Sequence, residues 1–589
     1  MKPRGFSPVL ALLLILALAR TGLAGERLIL ELRDLSTAEL KNGGFVLDAP
    51  TKIHLKALGA GNADGRMFAY GWIINADTRK EVWCMRYENT RSDSKERSFN
   101  GDITLPQGSY EVYFTAYAFA TKSTFSSFFI NVDHRTMGLG QKSRRWGVLS
   151  WLDDLFGDDL DKEWKKRSPA WGIEVYTTDE SKPVRTFGPP RAFANLFWKT
   201  PSAGENENTT RGFTLSKPID LRIYAIGEQT PGDDAVDMAW IIDAKTRKRV
   251  WDMQDSRTTT AGGAEKNIKF DGIVSLPAGA YILHYMTDDS HSMIDWNAEP
   301  PRDPLNYGVS LIARSPEDRS LLSLTEVTEE KNIILQMVKI GDDEYRTQNF
   351  TLRKDASVRV YAIGERGSRR EMADYGWIIN ARTREKVWTM DVSKTEYAGG
   401  TNKNRLLDEV ITLPKGTYTV GYQSDDSHSY GDWNDNPPYD PGHWGITLYG
   451  EGDSFDPKSV ERNAAATEAG MIAQIVGVGD GQKKSVNFSL SAPTKVRVYA
   501  IGEGENREMV DYGWIEKSEN RSVVWEMTYS MTFHAGGARK NRMVNTTLLL
   551  DKGNYTLHFV SDDSHAFGDW NSEQPDDPTM WGITIYREE

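Results

Sequence analysis

The chain has a single cysteine, Cys84, in 589 residues, so no intrachain disulfide can form and stability has to come from burial or bound ions. The residues at its position in the repeats described below are Asp252, Thr389 and Glu526, which points to a surface residue with no nucleophilic role. After the first 24 residues no apolar run approaches the roughly 20 that span a bilayer, and no cysteine follows where a lipid could attach. Positive charge is in deficit: 71 Lys and Arg against 84 Asp and Glu leave a net charge of −13, a balance that repels nucleic acid and anionic membranes. Signatures of catalysis are missing too. There is no Gly-x-Ser-x-Gly elbow, no His-Glu-x-x-His helix, no Cys-His pair, no phosphate loop ending in Gly-Lys-Ser/Thr and no EF-hand loop.

What is present begins with a leader. Lys2 and Arg4 precede an apolar run from Val9 to Ala19, then the small residues Gly22 and Ala24, the pattern of a secretory signal over residues 1–24. Its cleavage removes Lys2, Arg4 and Arg20 and takes the formal charge from −13 to −16. The expectation is an exported protein, periplasmic or extracellular, with no membrane span once the leader is gone.

Tryptophans recur at a fixed interval. Trp240, Trp377 and Trp514 are 137 residues apart, and so are Trp251, Trp388 and Trp525, and Trp296, Trp433 and Trp570. A degenerate copy lies in front, where Gly71-Trp72-Ile73-Ile74 and Val82-Trp83 answer to Gly376-Trp377-Ile378-Ile379 and Val387-Trp388. From Trp72 to Trp171 is 99 positions, against 67 from Trp377 to Trp444. The surplus falls around 120–168, where Trp151, Leu152, Leu155, Phe156 and Leu160 recur at helical spacing.

Within each copy, short β-rich runs such as Val358-Arg359-Val360-Tyr361 alternate with Gly, Pro, Asn and Asp. The fold expected is all-β: four tandem antiparallel β-sandwich, jelly-roll-like domains at 27–178, 192–313, 330–450 and 468–589, the first with a short helical insertion at about 120–168. Acid-rich stretches near 179–193, 314–329 and 451–468 read as linkers.

The order of a Val496-Arg497-Val498-Tyr499 strand, the run Asp511 to Ile515, a Leu413-Pro414-Lys415-Gly416-Thr417-Tyr418 turn and a closing aromatic strand resembles bacterial pre-peptidase C-terminal domains. The resemblance implies small exported β-sandwiches acting as accessory, non-catalytic modules. The long Asp-Asp-Ser-His loop departs from that pattern.

That loop is the most distinctive recurring segment. Asp425-Asp426-Ser427-His428 is followed by Asp432-Trp433-Asn434. Its counterparts are Asp288-Asp289-Ser290-His291 with Asp295-Trp296-Asn297, and Asp562-Asp563-Ser564-His565 with Asp569-Trp570-Asn571, while copy 1 reads Thr115-Ala116-Tyr117. Carboxylates this dense repel one another unless something organises them. Calcium, which takes six to eight oxygen ligands, is one candidate, with Asp288, Asp289, Asp295, Asp425, Asp426, Asp432, Asp562, Asp563 and Asp569 as its ligands. A transition metal held through the His is another. Ordinary Asx and Ser turns, with Lys403 and Lys540 compensating charge, are a third reading. The candidate ligand-binding residues are Trp296, Trp433 and Trp570, whose indoles can stack on a sugar, together with His291, His428 and His565. Paired glycines (Gly262-Gly263, Gly399-Gly400, Gly536-Gly537) near a Lys suggest either an anion nest or a bulged loop.

The functional expectation is an exported binding or structural protein without catalytic residues, recognising a cell-surface glycan or an envelope protein through these loops. The alternative is a secreted hydrolase acting on glycan or peptide through the same residues.

Overall fold

The computed structural model describes residues 26–588 apart from 37–38, 62–66, 94–95, 117–166, 180–182, 202–203, 230–234, 289, 294–295, 327–330, 368–370, 453–454 and 463–469. The leader and residues 120–166 of the expected insertion lie outside the described residues. The architecture is all-β and antiparallel, with helix confined among the described residues to single turns such as Pro316–Ser320. None of those helices is long and apolar enough to cross a membrane. The chain divides into two compact units, one up to Thr328 holding copies 1 and 2 and one from Glu329 holding copies 3 and 4.

Copy 3 shows the plan most simply. One five-stranded sheet has the order Ile333–Val338, Gly445–Gly450, Ala356–Glu365, Asn404–Leu413, Glu396–Tyr397, and a second has Lys386–Thr389, Tyr375–Asn380, Gly416–Gln423, Tyr345–Leu352, Val460–Arg462. Alternate residues of both sheets, among them Val360, Ile378, Val420, Ile446 and Leu448, bury into one apolar cluster that also holds Trp444. Their period of two is the reason these runs are strands.

The same register recurs in every copy. Trp72, Trp240, Trp377 and Trp514 sit opposite Cys84, Asp252, Thr389 and Glu526, each time with a bulge one residue later. The turn joining these two strands always holds an arginine in the left-handed region: Arg79, Arg247, Arg384 and Arg521 have φ of 57, 60, 57 and 58°.

Two expectations are corrected. The stretches assigned to linkers contain the strands Val184–Phe187, Leu322–Thr325 and Val460–Arg462, each of which folds back to pair with the second strand of its own copy. Runs of three or four residues among acids are too short to display a period. Cys84 is buried, not at the surface. Burial raises its thiol pKa, which disfavours the nucleophilic thiolate.

Candidate functional sites: the acidic clusters and the joint faces

Three strand ends in each of copies 2, 3 and 4 converge on a carboxylate cluster. In copy 3, Glu365 closes the strand Ala356–Glu365, Asp374 precedes Tyr375–Asn380, and Asp425 follows Gly416–Gln423. Oxygens of these three lie within 4.8 Å of one another, as do those of Glu228, Asp237 and Asp288, and of Glu503, Asp511 and Asp562. A glycine allows the approach: a Cβ on Gly364 would stand 2.1 Å from the Asp374 carbonyl oxygen, and Gly227 and Gly502 are equally tight at 1.9 and 2.1 Å.

The Asp374 carboxyl is shut away from solvent and accepts two bonds, from the Asp425 N–H at 3.0 Å and from the Trp444 indole N–H at 3.0 Å. Asp511 is held in the same way by Asp562 and Trp581, and Asp237 by Asp288 and the Tyr307 hydroxyl. Burial pushes Asp237 up to about 8 and Asp511 up to about 7, and raises Asp374 well above the usual carboxylate range. Within each cluster the Glu meets one cation. Lys403 Nζ is 3.2 Å from Glu365 Oε1, and Lys266 and Lys540 are 2.9 Å from Glu228 and Glu503.

The His of the loop is fully buried in the left-handed region, with φ of 60, 56 and 54° in the three copies. Asn404 commits both amide hydrogens to the carbonyls of Gly399 and Asn436, which leaves its Oδ1 to accept from His428 Nε2 at 2.7 Å. Nδ1 stands 3.0 Å from Asn434 Oδ1. Two flanking amide oxygens suit an imidazolium, but burial and then the Lys403 charge outweigh them and bring the pKa down to about 4. The ring is therefore neutral at pH 7. His291 and His565 make the same bond to Asn267 and Asn541, and their pKa values fall to about 3 and about 4 for the same reasons. All three histidines thus serve as internal ties of the loop.

Trp433 is half-buried, edge-to-face with His428 at 5.1 Å and with Trp444 at 5.0 Å; Trp296 and Trp570 pack in the same way. Of the expected metal ligands, Asp288, Asp425 and Asp562 enter the clusters. Asp426, Asp432, Asp563 and Asp569 are exposed and stand apart from them, while Asp289 and Asp295 lie outside the described residues. The paired glycines are filled by their own loop: a Cβ on Gly263, Gly400 or Gly537 would lie 2.0 to 2.1 Å from the carbonyl oxygen of Pro300, Pro437 or Gln574.

Glu228, Glu365, Glu503, Asp237, Asp374 and Asp511 escape sequence reasoning. A signal for them exists inside the chain, because copy 1 replaces the whole set together, with Ala60, Ala69 and Tyr117 at the three positions.

A second recurring arrangement joins copies within each unit. In the first unit Arg79 reaches from its turn to Asp303 of copy 2, with Nε donating at 2.8 Å, and also binds Glu111 of its own copy at 2.8 and 3.0 Å. Tyr224 donates to the same Asp303 at 2.8 Å. The face of copy 1 beside Arg79 is covered as well: the Trp72 indole donates to the Arg302 carbonyl at 2.7 Å. In the second unit Arg384 donates to Asp577 of copy 4 at 3.3 Å, Lys386 to Asp576 at 2.6 Å, and Tyr375 to Asp576 at 3.0 Å. An arginine in the left-handed region costs about 1–2 kcal/mol, and all four copies keep it, Arg521 included.

No protein-family model matches the chain, and no curated protein matches it. Among solved structures it is similar to the CBM32-1, CBM32-2 and M60 catalytic domains of Clostridium perfringens ZmpB, with 8% identity and a TM-score of 0.12 over 65% of this chain and 51% of that one. It is also similar to the arabinofuranosyltransferase AftD from Mycobacteria, with 11% identity and a TM-score of 0.10 over 89% of this chain and 38% of that one. The chain therefore spans about half or less of the structures it matches, and at these TM-scores neither likeness bears on fold or function.

Proposed function

We propose that the chain is an exported binding and structural protein without catalytic activity, made of four β-sandwich domains in tandem. Its acidic loops brace the second, third and fourth domains and form the joints, and copy 4 offers a joint face to a protein partner. The observation that carries this reading is the repeated use of one face. Trp72 and Trp377 are fully buried, and the joint arginines Arg79 and Arg384 beside them are buried against the acids of the next copy. In copy 4 the equivalent Arg521 and Val523 are exposed, and Tyr512, Trp514 and Trp525 are partly so. An aromatic face carrying Arg521 fits a partner presenting a proline-containing loop with an acid for the arginine, like Asp576-Asp577-Pro578.

Half-buried, edge-on indoles in the three loops favour this over glycan stacking at Trp296, Trp433 and Trp570. The experiment compares the full chain with an Arg521→Glu/Trp514→Ala variant against envelope proteins and a panel of polysaccharides. Loss of one saturable protein partner in the variant supports the reading. Polysaccharide binding lost on changing Trp433 or Trp570, or turnover of a glycan or peptide lost on changing His428 or His565, would replace it.

A further inference from the structure

We propose that the three carboxylate clusters are binding sites for a hard divalent cation, calcium by the chemistry of its donors, one in each of copies 2, 3 and 4. This goes beyond the partner-binding reading and stands independently of it. The first argument is charge. Glu365, Asp374 and Asp425 bring three carboxylates together against Lys403 alone. Asp342 adds a fourth acid close enough to act on both Glu365 and Asp425, and Asp480 is its counterpart in copy 4. A divalent ion neutralises the surplus that one lysine leaves.

The second argument is independent of charge. Glu365 and Glu503 are 8% and 3% exposed, and in each the Oε2 oxygen is buried with no hydrogen-bond partner while Oε1 faces the lysine. Asp342 Oδ1 and Asp480 Oδ1 are likewise buried without a partner. Matching acceptor oxygens lack protein donors at matching places in two copies, which leaves each of them a lone pair to offer a cation.

A shared proton is the competing way to relieve the cluster. Asp374 and Asp511 each accept a backbone N–H on one oxygen and an indole N–H on the other, donors that favour the ionised carboxylate over a protonated one. The donor set is all oxygen, and the histidines are turned to asparagines, which favours calcium over a transition metal. Copy 1, with Ala60, Ala69 and Tyr117, is the internal control: it has lost every ligand at once.

The test is calcium titration of the EDTA-stripped full chain by calorimetry, with terbium emission excited through Trp444 and Trp581 as a second readout. Three saturable calcium sites are expected. Glu228→Gln, Glu365→Gln and Glu503→Gln should each remove one, and Asp563→Asn and Asp569→Asn in the exposed loop should remove none. Asp480→Asn, at the cluster's edge, should weaken one site at least tenfold even if a Glu→Gln variant fails to fold. No saturable calcium binding, or a stoichiometry indifferent to these glutamates and to Asp480, would overturn the proposal.

Discussion

Arg79 in copy 1 and Asp303 in copy 2 form an ion pair in which the arginine side chain has no exposure and the aspartate almost none. Burial alone would lower the Arg79 pKa; Asp303 and Glu111 more than offset it, so the guanidinium stays charged at any accessible pH. A buried pair of this kind contributes little net stability, but removing one member leaves the other charged and unpaired. Arg79→Ala should therefore destabilise the first unit by about 3–5 kcal/mol in urea melts, whereas Arg521→Ala, on the exposed equivalent, should stay within about 0.5 kcal/mol.

Cys84 reports on the same joint, because it lies close enough to Arg302 of copy 2 to feel its charge. In the native chain the buried thiol should resist an aromatic disulfide reagent and react only on opening. Arg79→Ala should speed that reaction at least tenfold, which corresponds to about 1.4 kcal/mol of eased opening. Equal rates would mean that the joint does not cover the thiol.

Gly364 and Gly502 carry a prediction about the clusters. A methyl group there meets the backbone oxygen of Asp374 or Asp511, which cannot move without parting the strands. Gly502→Ala should cost about 1–3 kcal/mol or more and should abolish the copy 4 cluster's ligand binding along with it. Urea melts and calcium titration of the same variant read the two effects separately.

The buried histidines set a pH dependence. His428 and His565 have folded pKa values near 4, below the unfolded value of about 6.5, so the unfolded chain binds more protons between these limits. Their contribution is complete above about pH 6.5 and is lost as pH falls toward 4. Asp237 and Asp511, raised to about 8 and about 7, act with the opposite sign over that window. The histidine term is thus the difference between wild type and His428→Gln or His565→Gln, and each variant should show a shallower acid loss of melting temperature than the wild type.

How far the sequence reaches depends on whether a feature is local. The repeated tryptophans and alternating strands are local, and the all-β antiparallel architecture follows from them. The recurrence of the Asp-Asp-Ser-His loop is local too, although only its first aspartate enters a cluster. Glu365, Asp374 and Asp425 are brought together by strand pairing across the two sheets, and no spacing in the chain displays that. Their one trace in the sequence is the joint loss of all three positions in copy 1. The three residues of the strand Val460–Arg462 are too few to carry a period, and Cys84 is buried in the core of copy 1 although the residues at its position in copies 2, 3 and 4 are polar.

The most direct test of the view that the acidic motif is a buried cation site, rather than a catalytic or ligand-gripping loop, is thermal unfolding of the EDTA-stripped full chain with and without calcium, beside the Glu228→Gln/Glu365→Gln/Glu503→Gln variant. Calcium at 100 times its dissociation constant should add about 2.7 kcal/mol for each ion bound, one in the first unit and two in the second, a rise of roughly 5–10 °C or more, and the variant should show none. No rise in the wild type, or the same rise in the variant, would contradict the account.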